Sequence, residues 1–303
     1  MNLPKVFKNK RRIKTCVPLA FHTSFRIGGE AQYWYEPRDR RELGRFLKEY
    51  DLAFPLFVIG AGSNLLFREG LIKKIFIHLK GAEFNKVKIR GLHVKIGAGA
   101  KISRLISALS SKNIGGYEFL AGIPGTIGGA LVMNAGSRLD FDSVSSYREM
   151  KDIVEEIEVL DYRGNLLKLK QKDLRFSYRN SNLKPYIILS ARLKFYQADR
   201  KKVQARIKEN IVRRFHCQDW RYPSAGSFFK NPVEGEPAGR LIDLCRLKGA
   251  RAGGARISEK HANFIINVNH ASSADVLKLM EIIRNKVYDR FKVKLSPEVE
   301  IVS

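Results

Sequence analysis

The stretch AGIPGTIGGA, residues 121 to 130, sets the strongest condition on the fold. Gly122, Gly125, Gly128 and Gly129 surround Pro124 there, and each glycine in a regular element costs roughly 0.5–1 kcal/mol relative to alanine. A chain keeps such a run where its backbone must turn sharply or lie close against another surface. A flat cofactor or a pyrophosphate pressed on the main chain is the leading occupant. The alternative is a second backbone packed closely with no ligand between.

A second glycine turn, GAGSN at 60 to 64, follows directly on the apolar run PLFVI. Backbone N–H groups in such a turn converge on a phosphate, because glycine permits close approach and positive φ. It is not the dinucleotide fingerprint G-x-G-x-x-G, since Leu65 stands at the third glycine position. A plain strand-to-loop turn explains it equally well by itself. Two such turns in one region point to an extended dinucleotide-like ligand held outside a Rossmann fold.

Around these turns the chain reads as α+β, with many short, glycine-punctuated strands before a helix-richer last third. The spacing of Leu43, Phe46 and Leu47 predicts a helix over 38–50. ISRLISALSSKNIGG, 102–116, predicts an amphipathic helix closed by Gly115 and Gly116. Strands are expected in IKKIFIHL, VKIRGLHVKIGAGA, IVEEIEVLDYRGNLLKL (turning at 163–165) and YIILSARLKFY. From Asp199 the texture changes: Val203, Ile207, Ile211 and Phe215 recur as the apolar stripe of a helix. EPAGRLIDLCRLKG predicts a helix ending at Gly249, and Ser272 with Asp275 a capping box opening another. That change of texture puts a domain boundary near 197. A chain of 303 residues is long enough for more than one core.

Composition narrows the class. Lys and Arg total 56 against 30 acidic residues, a net charge of +26, which favours phosphate-bearing partners. Nucleic acid is the rival partner, but the basic residues are scattered, with only short clusters such as KNKRRIK, whose role stays open. Cys16, Cys217 and Cys245 are odd in number and lack CxxC spacing, against a disulfide framework or structural zinc. No metal is expected. The N-terminus makes a poor secretory signal, and no apolar run approaches a membrane span of about 20 residues. A cytoplasmic monomer that needs neither membrane nor nucleic acid is expected.

Four further segments carry candidate chemistry. In FSYRNS, Arg179 lies in a polar, aromatic turn that suits a guanidinium gripping a carboxylate or phosphate, or an arginine at the surface. PSAGSFFKNP presents Ser227 with no neighbouring base, followed by Asn231. In GGARISEKHANFIIN, Ser258, Glu259, Lys260, His261 and Asn263 precede an apolar strand, and His261 is a ligand or base, or a structural histidine. In SPEVEIV, Glu298 and Glu300 alternate with apolar residues, so one faces solvent, and spacing alone does not choose which.

Taken in order, HTSFRIGG, GAGSNLL, AGIPGTIGGALVMNAG, SYRNS, PSAGSFFKNP, AGRLID, GGARISEKHANFIIN and SPEVEIV resemble the UDP-N-acetylenolpyruvoylglucosamine reductases (the MurB family) over nearly the whole chain. The resemblance implies an FAD-binding fold of the vanillyl-alcohol-oxidase type, two α+β subdomains (1–80 and 81–196) with FAD between them, and a smaller α+β substrate-binding domain (197–303). The implied reaction is NADPH-dependent reduction of UDP-N-acetylglucosamine enolpyruvate to UDP-N-acetylmuramate in peptidoglycan precursor synthesis, with hydride passing through non-covalent FAD. By motif, the cofactor-binding positions are Gly60, Ala61, Gly62, Ser63, Asn64 and Leu65, with Gly122, Ile123, Pro124, Gly125, Thr126, Gly128, Gly129 and Ala130. The catalytic trio falls on Arg179, Ser227 and Glu298, with Asn231 near substrate. The short run from Ser181 to Tyr186 leaves no room for an aromatic-bearing loop, which marks the shorter, second type. MNAGSRLDFDSV departs from the commoner motif as a loop variation.

Those roles suit the residue types. Hydride addition leaves charge on the carbon beside the substrate carboxylate, and a fixed guanidinium stabilises it. Glu298 repels that charge as a bare anion, so it is expected to be protonated, or to orient a group that donates. Burial beside a carboxylate favours the protonated form. Ser227 needs no base because it gives a proton to a strongly basic carbanion instead of attacking.

Overall fold

In a computed structural model, residues 13–50, 53–138 and 147–303 are described. The basic cluster at 8–14 lies almost wholly outside these residues, and so does most of the variant stretch after Arg138. The described chain forms two compact units, each discontinuous in sequence. Of the described residues, the first comprises 13–14, Tyr33–Ala61 and Lys74–Val212; the second comprises Thr15–Gln32, Gly62–Lys73 and Arg213–Ser303.

The first unit is built on a five-stranded antiparallel sheet. Its order is Leu166–Lys170, Val154–Asp161, Tyr186–Lys194, His93–Gly97 and Val87–Arg90. Register places Ile157 opposite Ala191 and Ala191 opposite Ile96, so buried side chains stack in a row across three strands. That row is what fixes the pairing, since a slip of one residue would turn every one of them to the other face. Leu56–Ile59 runs parallel to Leu71–His78. The helix α1, Arg40–Glu49, starts where Asp39 accepts a hydrogen bond from Glu42 N, and buries Leu43, Phe46 and Leu47 as expected. Phe46 packs on Tyr35 with ring centroids 4.5 Å apart.

The helix α2, Ile102–Leu109, stops short of the expected glycine pair. Ser110 ends it, its hydroxyl donating back to Ser107 O, because a serine that bonds the preceding turn competes with helix propagation. Gly115 instead pairs with Tyr196 in a short strand, where a β-carbon would come within 3.1 Å of the Tyr196 ring. The short helix α3, Ile127–Val132, lies inside the second half of the glycine-rich stretch.

The helix α4, Arg200–Cys217, forms where expected, but its apolar stripe is only partly used. Val203 is buried and Ile207 half-buried, whereas Ile211 and Phe215 are exposed. Asn210, off that stripe, is buried instead and donates to Glu118 O at 3.2 Å. The periodicity therefore located the helix and misjudged how far along its length it packs.

The second unit carries a four-stranded antiparallel sheet, ordered Ser224–Ser227, Phe264–Asn267, Ala255–Ile257 and Arg251–Ala252. The helix α5, Ala238–Leu244, ends before the expected Gly249. Arg246 takes the left-handed conformation (φ 57°), and Leu247 N reaches back to Ile242 O. The helix α6, Ser273–Phe291, opens on the expected capping box of Ser272 and Asp275. Val276, Leu279, Ile283 and Val287 of α6 join Leu241 and Ile242 of α5 in a core that also holds Phe228 and Phe229. Glu300–Val302 closes the chain as a strand parallel to Leu65–Phe67.

Candidate active site

Inside the first unit, Gly60 packs against the second glycine stretch. At Gly60 a β-carbon would lie 2.4 Å from Thr126 Oγ1, so only bare backbone fits between them. Gly122 (φ 76°) and Gly125 (φ 134°) adopt conformations that side chains disfavour. Gly128 is a different case, packed where a β-carbon would come 3.2 Å from Ala98. The first-turn donors of α3 are spent internally: Ile127 N on Ala100 O, Gly128 N on Ala98 O, Gly129 N on Thr126 Oγ1 and Ala130 N on Thr126 O. These residues offer a ligand a bare surface, not donors. Backbone packing accounts for Gly128, and the Gly122–Gly125 turn meets the Gly60 turn through Thr126.

Arg179 is tied to the same region. Tyr178 and Arg179 form the turn between Phe176–Ser177 and Asn180–Ser181. Arg179 holds φ 54°, which costs a non-glycine residue on the order of 1 kcal/mol. The hairpin is fastened to the end of α3: Ser181 Oγ donates to Val132 O at 2.8 Å, and the buried Asn134 donates to Ser177 O at 3.2 Å. Tyr147 hydrogen-bonds the guanidinium. Burial pushes the Tyr147 phenol above its ordinary value, against the pull of the arginine's charge. The guanidinium carbon stands 5.3 Å from the Tyr178 ring centroid.

The second unit holds Gly62 to Leu65, Ser227, Asn231 and Glu298. The strand carrying Ser227 has an extra residue: Ser224 pairs with Ile266 and Ser227 with Phe264, so three steps on one side oppose two on the other. Gly226, at φ 77°, absorbs the bulge and re-aims the serine. Beyond it, Glu298 N donates to Phe228 O at 2.8 Å and Lys230 N to Ser296 O at 2.9 Å. The serine segment and the glutamate segment are therefore zipped together in adjacent register. Asn64 joins them, donating to Glu298 O at 2.9 Å and accepting from Glu300 N at 3.0 Å. Glu298 is half-buried and Glu300 exposed, which resolves the alternation that spacing left open. Asn231 accepts from Ala238 N at 3.1 Å and so caps α5.

His261 is structural. Its Nδ1 accepts from Asn263 N at 3.2 Å, and burial, then the nearby Lys248 charge, push its pKa below the ordinary value. Among the described residues no group of three or more His, Cys, Asp and Glu could hold a metal ion, and no helix is long and apolar enough to cross a membrane. All three cysteines are free. Sequence reasoning assigned nothing to Tyr147 or Asn134, and noted Asn263 only as one of the polar residues before the apolar run FIIN, without a role.

Comparison with known proteins agrees with this layout. Residues 31–170 match the FAD binding domain model, and residues 218–302 match the UDP-N-acetylenolpyruvoylglucosamine reductase C-terminal domain model. UDP-N-acetylenolpyruvoylglucosamine reductase 2 of Symbiobacterium thermophilum is 38% identical over 302 residues, covering 99% of this chain and 95% of its own length. The reductase of Caldanaerobacter subterraneus subsp. tengcongensis is 40% identical over 290 residues, 94% of this chain and 92% of that one. The crystal structure of UDP-N-acetylenolpyruvylglucosamine reductase (MurB) from Thermus caldophilus superposes with a TM-score of 0.80 at 34% identity, over 96% and 98% of the two chains. The bare backbone where Gly60 meets Thr126, beside the Gly122–Gly125 turn, fits the flat, phosphate-bearing FAD. The α+β fold class expected from the sequence is the one found. This chain belongs to the UDP-N-acetylenolpyruvoylglucosamine reductase family, FAD-dependent oxidoreductases of peptidoglycan precursor synthesis.

Proposed function

We propose that the chain reduces UDP-N-acetylglucosamine enolpyruvate to UDP-N-acetylmuramate with NADPH as hydride donor, and that Ser227 supplies the final proton. The observation that carries this reading is the zipper in the second unit, which lays the Ser227 segment along the Glu298 segment. Hydride storage and delivery is the chemistry that bound FAD supplies. The residues that would hold it are Gly60 to Leu65 and the 122–130 stretch.

Arg179, locked by its hairpin, holds a fixed cation for the charge that develops beside the substrate carboxylate. Glu298 carries a proton in the substrate complex and donates a hydrogen bond, so that it adds no like charge to that carbon. Ser227 Oγ gives its proton to the carbanion. The transfer runs downhill because such a carbon is far more basic than an alkoxide, and no histidine is required. Asn231, its carbonyl committed to α5, offers its amide N–H to substrate.

The test separates the two half-reactions. In Ser227→Ala, anaerobic flavin bleaching by NADPH proceeds at the wild-type rate. Reoxidation by the enolpyruvyl nucleotide slows by about 10²–10⁴-fold, the usual worth of a positioned acid. Equal slowing of both halves would remove Ser227 from the donor role.

A further inference from the structure

We infer that Asn263 is a positioning residue for the reaction: its side-chain amide sets the register that aims Ser227 and keeps it level with Glu298. This rests on the proton-donor reading of Ser227.

The ladder between Ser224–Ser227 and Phe264–Asn267 ends at the Ser227–Phe264 pair, immediately after a bulge. A strand end next to a bulge is where register is most easily lost. Here pairing is continued by a side chain. Phe229 N donates to Asn263 Oδ1 at 2.9 Å, and Asn263 Nδ2 donates to Phe229 O at 2.8 Å, the two-way exchange a strand residue would make. Phe228 N donates to the Asn263 carbonyl at 2.7 Å. The amide is 4% exposed, so these bonds are shielded from water.

The other edge of the same short segment faces the glutamate. Phe228 O accepts from Glu298 N at 2.8 Å, and Phe229 bridges Pro297. Asn263 on one side and residues 296–299 on the other therefore hold one three-residue segment, with Ser227 at its start. His261 Nδ1 in turn accepts from Asn263 N and fixes the amide's own backbone. Asn64, the second amide, anchors the Glu298 carbonyl from the glycine-turn side.

Asn263→Asp keeps the acceptor for Phe229 N but sets a carboxylate oxygen against Phe229 O; Asn263→Ala removes both bonds. In the holoenzyme, both variants are expected to reduce with NADPH at the wild-type rate. Reoxidation by the enolpyruvyl nucleotide should fall by about 10–100-fold, as for a reacting group displaced by about an ångström. The solvent deuterium isotope effect on reoxidation should rise as proton transfer becomes limiting, which a merely looser fold would not cause. Amide hydrogen exchange at 228–230 should quicken with FAD still bound. Reoxidation within a factor of about two of wild type, or an unchanged isotope effect, overturns the inference, and so does failure of both variants to fold. A fast Ser227→Ala would instead sink the proton-donor reading. A slow Ser227→Ala beside a fast Asn263→Asp would sink only the role of Asn263.

Discussion

Gly60 and Gly226 sit in comparable places, each just before a stretch assigned to the site, yet they are glycines for opposite reasons. At Gly60 space decides: a β-carbon would lie 2.4 Å from Thr126 Oγ1. At Gly226 there is open space within 4 Å, and the backbone decides, since φ is 77°. The first glycine lets Thr126 pack against its backbone. The second steers a neighbour, Ser227. The wider contrast follows the same line. In the first unit the candidate residues sit on tight backbone approach and a strained arginine hairpin. In the second they are held by side-chain amides that stand in for strand backbone.

The arginine gives the largest expected break in that contrast. Arg179→Lys keeps a charge but loses the planar fork and the Tyr147 bond geometry. Stopped-flow measurements should show substrate-dependent reoxidation slowed by about 10²–10³-fold, the scale for a lost transition-state donor. Flavin reduction by NADPH should hold near wild type. If lysine serves equally well, fixed geometry at the hairpin is not what matters.

The glycines come next. Gly60→Ala must push Thr126 aside, at about 1–3 kcal/mol for an overpacked position, and should lower both FAD content and melting temperature. Gly226→Ala should cost about 1 kcal/mol of strain with FAD content unchanged, and slow reoxidation alone. Thr126→Ser beside Gly60→Ala, by trimming a methyl, should not rescue the first variant, because the clash is with the hydroxyl oxygen. Equal loss of FAD in both glycine variants would erase the distinction drawn between them.

What could be seen in the sequence follows from how local each cause is. The Ser272–Asp275 capping box is written within four positions, and it forms as read. The end of α5 is not: an arginine in the left-handed region is invisible to residue preference, so Gly249 was the natural stop and Arg246 is the real one. Along α4, periodicity finds the helix but carries no information on what lies opposite Ile211 and Phe215. The proposed site residues come from ordered motifs. Asn263 could be noted there but given no role, because its partner, Phe229, lies 34 positions away and its value is a pair of main-chain bonds.

The smallest effect concerns acid, and it belongs to the second unit. His261 is held below its ordinary pKa of 6.5 by burial and by Lys248, which itself lies 3.1 Å from Asp243. A histidine kept neutral by folding binds fewer protons than the unfolded chain, so stability falls as pH drops below 6.5 and levels off under the folded value. Asp275 works lower. Backbone hydrogen bonds, first from Ser272, hold its carboxyl below 3.8, and its contribution is present above that value and lost as pH falls through the folded one. Melting temperature against pH should therefore decline in two stages. His261→Gln, whose side-chain oxygen can still accept from Asn263 N, should flatten the stage that begins below pH 6.5 and leave the acid stage untouched. Asp275→Asn should do the reverse. If the glutamine variant titrates like wild type, His261 is not the proton acceptor, and its part in holding Asn263 is independent of charge.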